Sequence, residues 1–132
     1  EVRVSTEKHA AVVRKFWQMF DEARFDDVAE LLHPDCNIYW PNTHERFRGR
    51  QKLIDMNKRY PGRWYIDVID VIVRGDLVVS VVRVYSKEDK QSFYATSFFK
   101  LKNGLIKEIT EYWGEITEAP AWRITEGLSE KY

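Results

Sequence analysis

The apolar positions of the first sixty residues repeat at steps of three and four, the period of an amphipathic helix. The first run begins near Ser5 and Thr6, either of which can cap a helix, and its stripe consists of Ala10, Val13, Phe16, Trp17 and Phe20. A second run, Phe25–Leu32, stops at His33-Pro34-Asp35, and a third, Arg50–Tyr60, stops at Pro61-Gly62. Proline and glycine disrupt helices, so the pattern predicts three helices with these ends.

The remaining apolar pattern has the two-residue period of strands. A short strand is predicted at Cys36–Trp40, followed by a polar loop over residues 41–49. Four long strands are predicted at Trp64–Arg74, Leu77–Tyr85, Gln91–Leu101 and Leu105–Ile116. Their connections are short, with turn residues at Gly75-Asp76, Ser86–Lys90 and Asn103-Gly104, which favours an antiparallel meander. The segment from Thr117 onward is expected to be a loosely packed tail.

Composition narrows the classes of function. The 132 residues suit one domain spanning 1–132, with a core at about 6–116 and a tail at 117–132. The 21 basic and 21 acidic residues balance, so binding to nucleic acid or to an anionic membrane is not expected. Cys36 is the only cysteine, which excludes an internal disulfide and fits a reducing compartment. No apolar run approaches the roughly 20 residues that span a bilayer, and a cytoplasmic protein is expected.

The candidate chemistry does not include a metal or a cofactor. His9, His33 and His44 lack the spacing of metal ligands, and the chain has no glycine-rich phosphate loop. Cys36 lacks the surroundings of an activated nucleophile and is interpreted as a small core residue.

The order of elements, together with local motifs, resembles the nuclear transport factor 2-like superfamily, and within it the SnoaL-like and ketosteroid-isomerase-like proteins. The motifs are Phe16, Trp17 and Phe20; Phe25-Asp26-Asp27-Val28; Leu31–Asp35; Cys36–Trp40; Phe47–Arg50; and the hairpin Lys102–Ile109 leading into Glu111–Glu115. The resemblance implies an α+β fold, in which a cone-shaped, curved antiparallel sheet and three N-terminal helices enclose a pocket.

The pocket residues follow from this resemblance. It places the face of the last strand that carries Ile109, Glu111 and Trp113 toward the pocket. The other lining residues expected are Phe16, Trp17, Tyr39, Trp40, His44, Tyr60, Tyr85, Ser97 and Phe99. For the aromatic residues, ordinary core packing is the alternative. Several long strands are apolar on both faces, as at Val78-Val79 and Val81-Val82, so a second copy of the chain is expected to cover the outer face as a homodimer.

Steroid-type isomerisation is not expected. That mechanism, as the resemblance implies, needs a base carboxylate, a tyrosine donor and a protonated aspartate donor. The matching positions in this chain hold Trp40, Phe16 and Ser97. Trp40 and Phe16 cannot titrate, and a serine is a weaker donor than a protonated aspartate.

Glu111 and Arg83 remain as the catalytic candidates. A carboxyl in an aromatic pocket loses hydration, which raises its pKa and suits it to proton transfer. Arg83, set among valines, would then orient the substrate. The alternatives are a structural Glu111–Arg83 ion pair, a solvated Glu111 at the rim, or an Arg83 that points out at a sheet edge or dimer seam.

The leading hypothesis is a pocket protein that performs cofactor-free acid–base chemistry on a small apolar organic molecule, as an isomerase, cyclase, dehydratase or hydrolase. The alternative is a non-catalytic module that binds a small molecule or a protein. The basic segment from Arg46 to Arg63 is either a solvated helix face or an entrance that attracts anionic substrates.

Overall fold

A computed structural model describes residues 2–88 and 90–132, with side chains from Ser5 onward. Asp89, in the predicted polar turn, lies outside the described residues. The helices are α1 (Val2–Asp21), a 3₁₀ helix (Asp26–Leu31), α2 (Arg50–Arg59) and a short α3 (Ala121–Thr125). No helix among the described residues is long and apolar enough to cross a membrane.

The helix predictions need two corrections. Ser5 and Thr6 lie inside α1, which begins at Val2, so neither residue caps it. The second predicted helix is a single 3₁₀ segment, because its chain is already extended at Leu32. The predicted tail contains α3, a five-residue helix whose side chains are exposed.

The described residues contain six strands, which form one curved, open sheet. They are β1 (Leu32–Trp40), β2 (Glu45–Arg48), β3 (Trp64–Arg74), β4 (Leu77–Ser86), β5 (Ser92–Lys102) and β6 (Leu105–Glu115). Their order is β2-β1-β6-β5-β4-β3. The predicted antiparallel meander of the four long strands, β3 to β6, is confirmed, and so is the α+β fold class.

The first part of the sheet differs from the prediction. The segment 41–49 is not all loop, because β2 pairs antiparallel with the end of β1. Only Phe47 of β2 packs against the core, so the strand lacks the alternation that sequence reasoning looks for. β1 itself begins at Leu32, and its ladder is interrupted between Leu32 and Asn37, where Pro34 has no amide to contribute. β1 also pairs parallel with β6.

The helices cover one face of the sheet, called here the inner face. The alternation is clearest in β5, where Ala95, Ser97 and Phe99 are buried and Tyr94 and Phe98 are exposed. The aromatic stripe of α1 lies on this face, with the rings of Phe16 and Phe99 at 5.2 Å in an edge-to-face contact. Burial of these rings supplies much of the hydrophobic stabilisation of the core.

The opposite, outer face carries large apolar side chains that the other described residues leave exposed. Ile72, Tyr94, Phe98 and Tyr112 are exposed there, and we call this set the outer apolar patch. Phe98 and Tyr112 contact each other edge-to-face with 6.1 Å between ring centroids. Large apolar side chains exposed on one face of a sheet are typical of an interface.

We expect the chain to form a homodimer through the outer apolar patch. Phe98→Glu should convert the dimer to monomer at micromolar concentration, because a carboxylate buried between two sheets would lose its hydration without a partner. Sedimentation velocity measures the change, and Gln91→Glu, which adds the same charge at the exposed turn before β5, should remain dimeric. A wild-type protein that sediments only as monomer would contradict the expectation.

Candidate active site

A cavity of about 300 Å³ lies between the inner face of the sheet and the helices. Its wall is mostly aromatic and is formed by Phe16, Trp17, Phe20, Phe25, Trp40, Tyr60, Trp64, Phe93 and Trp113. The exposed lining residues are Lys58, Tyr60 and Gly62, which precede β3. The mouth therefore lies at the end of the sheet where β3 begins, near the rings of Trp64 and Phe93, which are 5.8 Å apart. Further along the strands, Phe99 and Ile109 are fully buried and close the floor.

Glu111 occupies the floor of this cavity. It lies opposite Ser97 in the β5–β6 pair, one inward-facing position deeper than Ala95 and Trp113. The indole Nε1–H of Trp40 donates to Glu111 Oε1 at 3.0 Å, and the hydroxyl of Ser97 donates to Oε2 at 2.9 Å. The two donors come from strands on either side of β6, so the sheet itself orients the carboxyl group.

The electrostatic setting of Glu111 favours the neutral acid. The side chain lies deep among protein atoms, and because it lines the cavity, the surface that it retains faces the cavity. Desolvation raises the pKa of Glu111, and the hydrogen bonds from Trp40 and Ser97 oppose this without cancelling it. Within residues 2–88 and 90–132, no Lys, Arg or His side chain forms an ion pair with Glu111.

A polar row crosses the inner face at the level of Glu111. Ser80 on β4 lies opposite Ser97 on β5, and both are fully buried. The indole of Trp17 on α1 donates to Ser80 Oγ at 2.9 Å. The row therefore begins and ends with a tryptophan N–H, and its buried polar atoms have partners.

The side chain of Asn42 joins the tip of the β1–β2 hairpin to β6 by two hydrogen bonds. Its Nδ2 donates to the carbonyl oxygen of Trp113 at 2.8 Å, and its Oδ1 accepts from the amide of Trp113 at 3.2 Å. This side chain continues the β1–β6 pairing past the last backbone contact. It helps to hold Trp40 and Trp113 edge-to-face, with 5.0 Å between their rings.

Arg83 requires a correction, because the structure does not bring it to the cavity. The inward residues of β4 are Val82 and Val84, so Arg83 lies on the outer face. Its guanidinium bonds to Asp67 Oδ2 at 3.2 Å and lies 4.1 Å above the ring of Tyr85. The anticipated alternative of a Glu111–Arg83 pair is not present either, since Asp67 is the carboxylate that Arg83 contacts.

The other anticipated lining residues divide into three groups. Phe16, Trp17, Trp40, Tyr60 and Trp113 line the cavity. Phe99 and Ile109 lie beneath the cavity in the core. Ser97 does not line the cavity but donates a hydrogen bond to Glu111, which does. Tyr39, Tyr85 and His44 are elsewhere: Tyr85 stacks on Tyr65 at 5.7 Å on the outer face, and Tyr39 and His44 line a hollow beside Pro41 and Arg46.

Sequence reasoning missed Trp64 and Phe93 at the mouth of the cavity. Strand parity could have found both: Phe93 shares a face with Ala95 and Ser97, and Trp64 shares one with Ile66. The contributions of Phe20, Phe25, Met56, Asn57, Lys58 and Arg63 depend on how the helices and the Pro61-Gly62 turn pack over the sheet, which no local pattern reports.

Nothing in the described part of the chain suggests a metal centre or a reactive thiol. No group of three or more His, Cys, Asp or Glu side chains among the described residues is placed to hold a metal ion. Cys36 is fully buried on β1, and desolvation raises the pKa of its thiol to about 12, so the thiol stays protonated at neutral pH.

Comparison with known proteins identifies the class. The sequence profile of the SnoaL-like domain matches residues 13–109, and the chain belongs to this family, within the nuclear transport factor 2-like fold. No curated protein matches the chain.

Solved structures show the same fold over nearly the whole chain. A candidate ketosteroid isomerase from Kribbella flavida DSM 17836 is 27% identical, with a TM-score of 0.83 over 97% of this chain and 92% of that one. A nuclear transport factor 2-like protein of unknown function from Burkholderia xenovorans LB400 is 22% identical, with a TM-score of 0.81 over 97% and 98%. An epoxide hydrolase from M. tuberculosis is 18% identical, with a TM-score of 0.70 over 93% and 90%.

Replacing Glu111 should change how stability depends on pH. Because the folded protein binds this proton more tightly than the unfolded chain, the carboxyl group supports folding below about pH 4.5, and that support is lost as the pH rises through the raised pKa. The free energy of unfolding of Glu111→Gln minus that of the wild type should therefore increase with pH, by about 1.4 kcal/mol per unit of pKa shift. Urea titrations between pH 4 and pH 8 test this, and a constant difference would contradict it.

Removing the indole donor should raise the pKa of Glu111 further. Trp40→Phe keeps a ring in the wall but deletes the hydrogen bond that stabilises the carboxylate. Carboxyl-resolved NMR titration measures the pKa. Trp113→Phe is the matched control, because it alters a neighbouring ring and leaves both hydrogen bonds to Glu111 in place. The explanation fails if the two variants shift the pKa equally.

Proposed function

We propose that the cavity binds a small, largely apolar organic molecule and that Glu111 exchanges a proton with it. The reaction class is a cofactor-independent isomerisation, cyclisation, dehydration or hydrolysis. The observation that carries this proposal is the position of Glu111, a carboxyl group without a cationic partner among the described residues, on the floor of an aromatic cavity. An acid–base group of raised pKa, inside a space that can hold a substrate, suits proton transfer near neutral pH.

The two hydrogen bonds allow Glu111 to work in both protonation states. An indole N–H can only donate, so Oε1 remains an acceptor and the proton of the neutral acid is carried by Oε2. The hydroxyl of Ser97 beside Oε2 can donate to the carboxylate or accept from the acid by rotating. A proton can therefore move between Oε2 and a ligand with little reorganisation of the protein.

The names of the structural relatives are compatible with this chemistry without selecting one reaction. They include a candidate ketosteroid isomerase and an epoxide hydrolase. The three positions that steroid isomerisation would use hold Phe16, Trp40 and Ser97 here, and Trp40 and Ser97 serve as donors to Glu111. The carboxyl group of this cavity is thus supplied by β6, and we propose a substrate other than a steroid.

A non-catalytic binding module is the second candidate. It is favoured by the engagement of both carboxyl oxygens with protein donors, which would also suit a purely structural group. Arg83 does not help to decide, because it lies on the outer face with Asp67.

Proton exchange at a ketone probe separates the two candidates. With 2-tetralone in D₂O, we expect the wild type to accelerate loss of the α-proton signal, because carboxylate Glu111 removes a carbon-bound proton and a deuteron returns to the same carbon. The exchange rate should be at least tenfold lower in Glu111→Gln, since an amide cannot accept the proton. Asp67→Asn, which removes a carboxylate on the outer face, should exchange as the wild type does.

Binding of the ketone is followed separately by tryptophan fluorescence, and the response should disappear in Trp113→Ala, which removes a wall residue. A wild type that binds 2-tetralone without accelerating exchange supports the binding module. A wild type that shows neither response contradicts the proposed function as a whole.

A further inference from the structure

Glu111 has unused capacity to interact with a ligand. An ionised carboxylate offers about four acceptor positions, and Trp40 and Ser97 occupy one on each oxygen. The floor below is closed by the fully buried side chains of Phe99 and Ile109, which offer no polar side-chain atoms. The remaining capacity of the carboxylate is therefore available only to what enters the cavity.

The charge of the carboxylate is also uncompensated. No cationic side chain of residues 2–88 and 90–132 pairs with it, so the buried site is neutral only when Glu111 is protonated or when a ligand brings a positive charge. The aromatic wall around Glu111 suits a ligand that brings a positive charge. The rings of Trp40 and Trp113 lie 5.0 Å apart beside Glu111, and Phe16 and Trp17 of α1 line the same cavity. Aromatic faces attract organic cations, and indole does so best.

We propose that the cavity recognises an organic ammonium, an apolar molecule whose positively charged nitrogen lies against Glu111 and the surrounding aromatic rings. This inference rests on the proposed function, because it names the class of molecule that the same cavity takes. The apolar part of the ligand extends toward the mouth along Ala95, Phe93 and Trp64. The inward face of β5 from Ser97 to Phe93 spans about 13 Å, enough for a small ring system attached to the nitrogen.

The two cationic side chains that line the cavity near its mouth already interact with other groups of the protein. Lys58 on α2 pairs with Asp26 at 3.2 Å. The guanidinium of Arg63 donates to the backbone carbonyl oxygens of Asp21 and Trp64 and stacks over the ring of Tyr65. Asp21 is the last residue of α1, so Arg63 lies at the negative end of that helix dipole. Among the residues that the structure describes, Glu111 is the acidic one that lines the cavity, and Lys58, Arg63 and Tyr60 are the other titratable lining residues.

A consequence is that a proton and the ligand compete for one carboxylate. Binding of a permanent cation should release a proton from Glu111, and acidification should weaken binding. Acidification should not weaken the binding of an uncharged ligand of the same shape, because such a ligand gains nothing from the ionised form of Glu111.

A pair of isosteric probes tests the inference. Benzyltrimethylammonium carries a charge that no pH removes, and neopentylbenzene is its uncharged carbon analogue, so any pH dependence belongs to the protein. Dissociation constants are measured by tryptophan fluorescence at pH 8.5 and pH 5.0, and proton release by calorimetry in buffers of different ionisation enthalpy. The variants are Glu111→Gln, which keeps the size and the hydrogen-bonding positions of the side chain, and Asp67→Asn as the control on the outer face.

We expect the preference for the cation over its neutral analogue to be at least tenfold greater in the wild type than in Glu111→Gln at pH 8.5. The preference should decrease at pH 5.0 in the wild type and in Asp67→Asn, and stay constant in Glu111→Gln. Binding of neopentylbenzene with no such preference in the wild type would overturn the ammonium assignment and leave the proposed function standing. If neither probe binds the folded wild type, the ammonium assignment fails, and the proposed function is decided separately by the exchange and binding of 2-tetralone.

Discussion

The parallel pairing of β1 with β6 brings Trp40 beside Glu111, and the chemistry of the cavity depends on that contact. Ile38 pairs with Ile109 and Tyr39 with Thr110, so the indole of Trp40 reaches the carboxyl group on the next inward position of β6. Asn42 extends the same pairing with its side chain and fixes the hairpin tip. On the other side of β6, the β5–β6 register places the hydroxyl of Ser97 beside the carboxyl group of Glu111. A carboxyl group held between two strands in this way keeps its orientation without a cation, and its protonation stays responsive to what enters the cavity.

The sheet separates two tasks by the parity of its strands. On the inner face, alternate residues such as Ser97 and Glu111 form a polar row beneath aromatic walls. On the outer face, Arg83 and Asp67 form an exposed ion pair, which contributes little to stability in water. The exposed rings of Phe98 and Tyr112 lie on the same outer face. A change of one position in the register of β4 would exchange Arg83 with a valine and place a cation among the cavity walls.

Much of this fold could be predicted from the sequence, because it is encoded locally. The boundaries of β3 match the prediction residue for residue, and Asn103-Gly104 closes the β5–β6 hairpin with positive φ at both residues, as a two-residue turn requires. The turn signals and the two-residue period also predicted that Ile109, Glu111 and Trp113 share a face. β2 was missed because its polar residues form a strand only through pairing with β1. The start of β1 was predicted at Cys36 instead of Leu32, because the pairing of Leu32 with Ile106 on β6 is likewise a contact between distant parts of the chain.

By itself, then, the sequence determined the α+β class, the meander and the shared face of Ile109, Glu111 and Trp113, since helical and strand periods and turn residues act over a few positions. The resemblance to a known family was needed to place that face toward a pocket and make Glu111 a candidate. The tertiary structure decided which partners Glu111 has. Trp40 lies 71 positions away in sequence, and the choice between it and Arg83 depends on long-range pairing and on which face of β4 turns inward. Val79 to Val84 is apolar on both faces apart from Ser80 and Arg83, so local alternation could not assign the faces of that strand. Packing of α1 against the fully buried Val78, Ser80 and Val82 resolves it and leaves Arg83 outside.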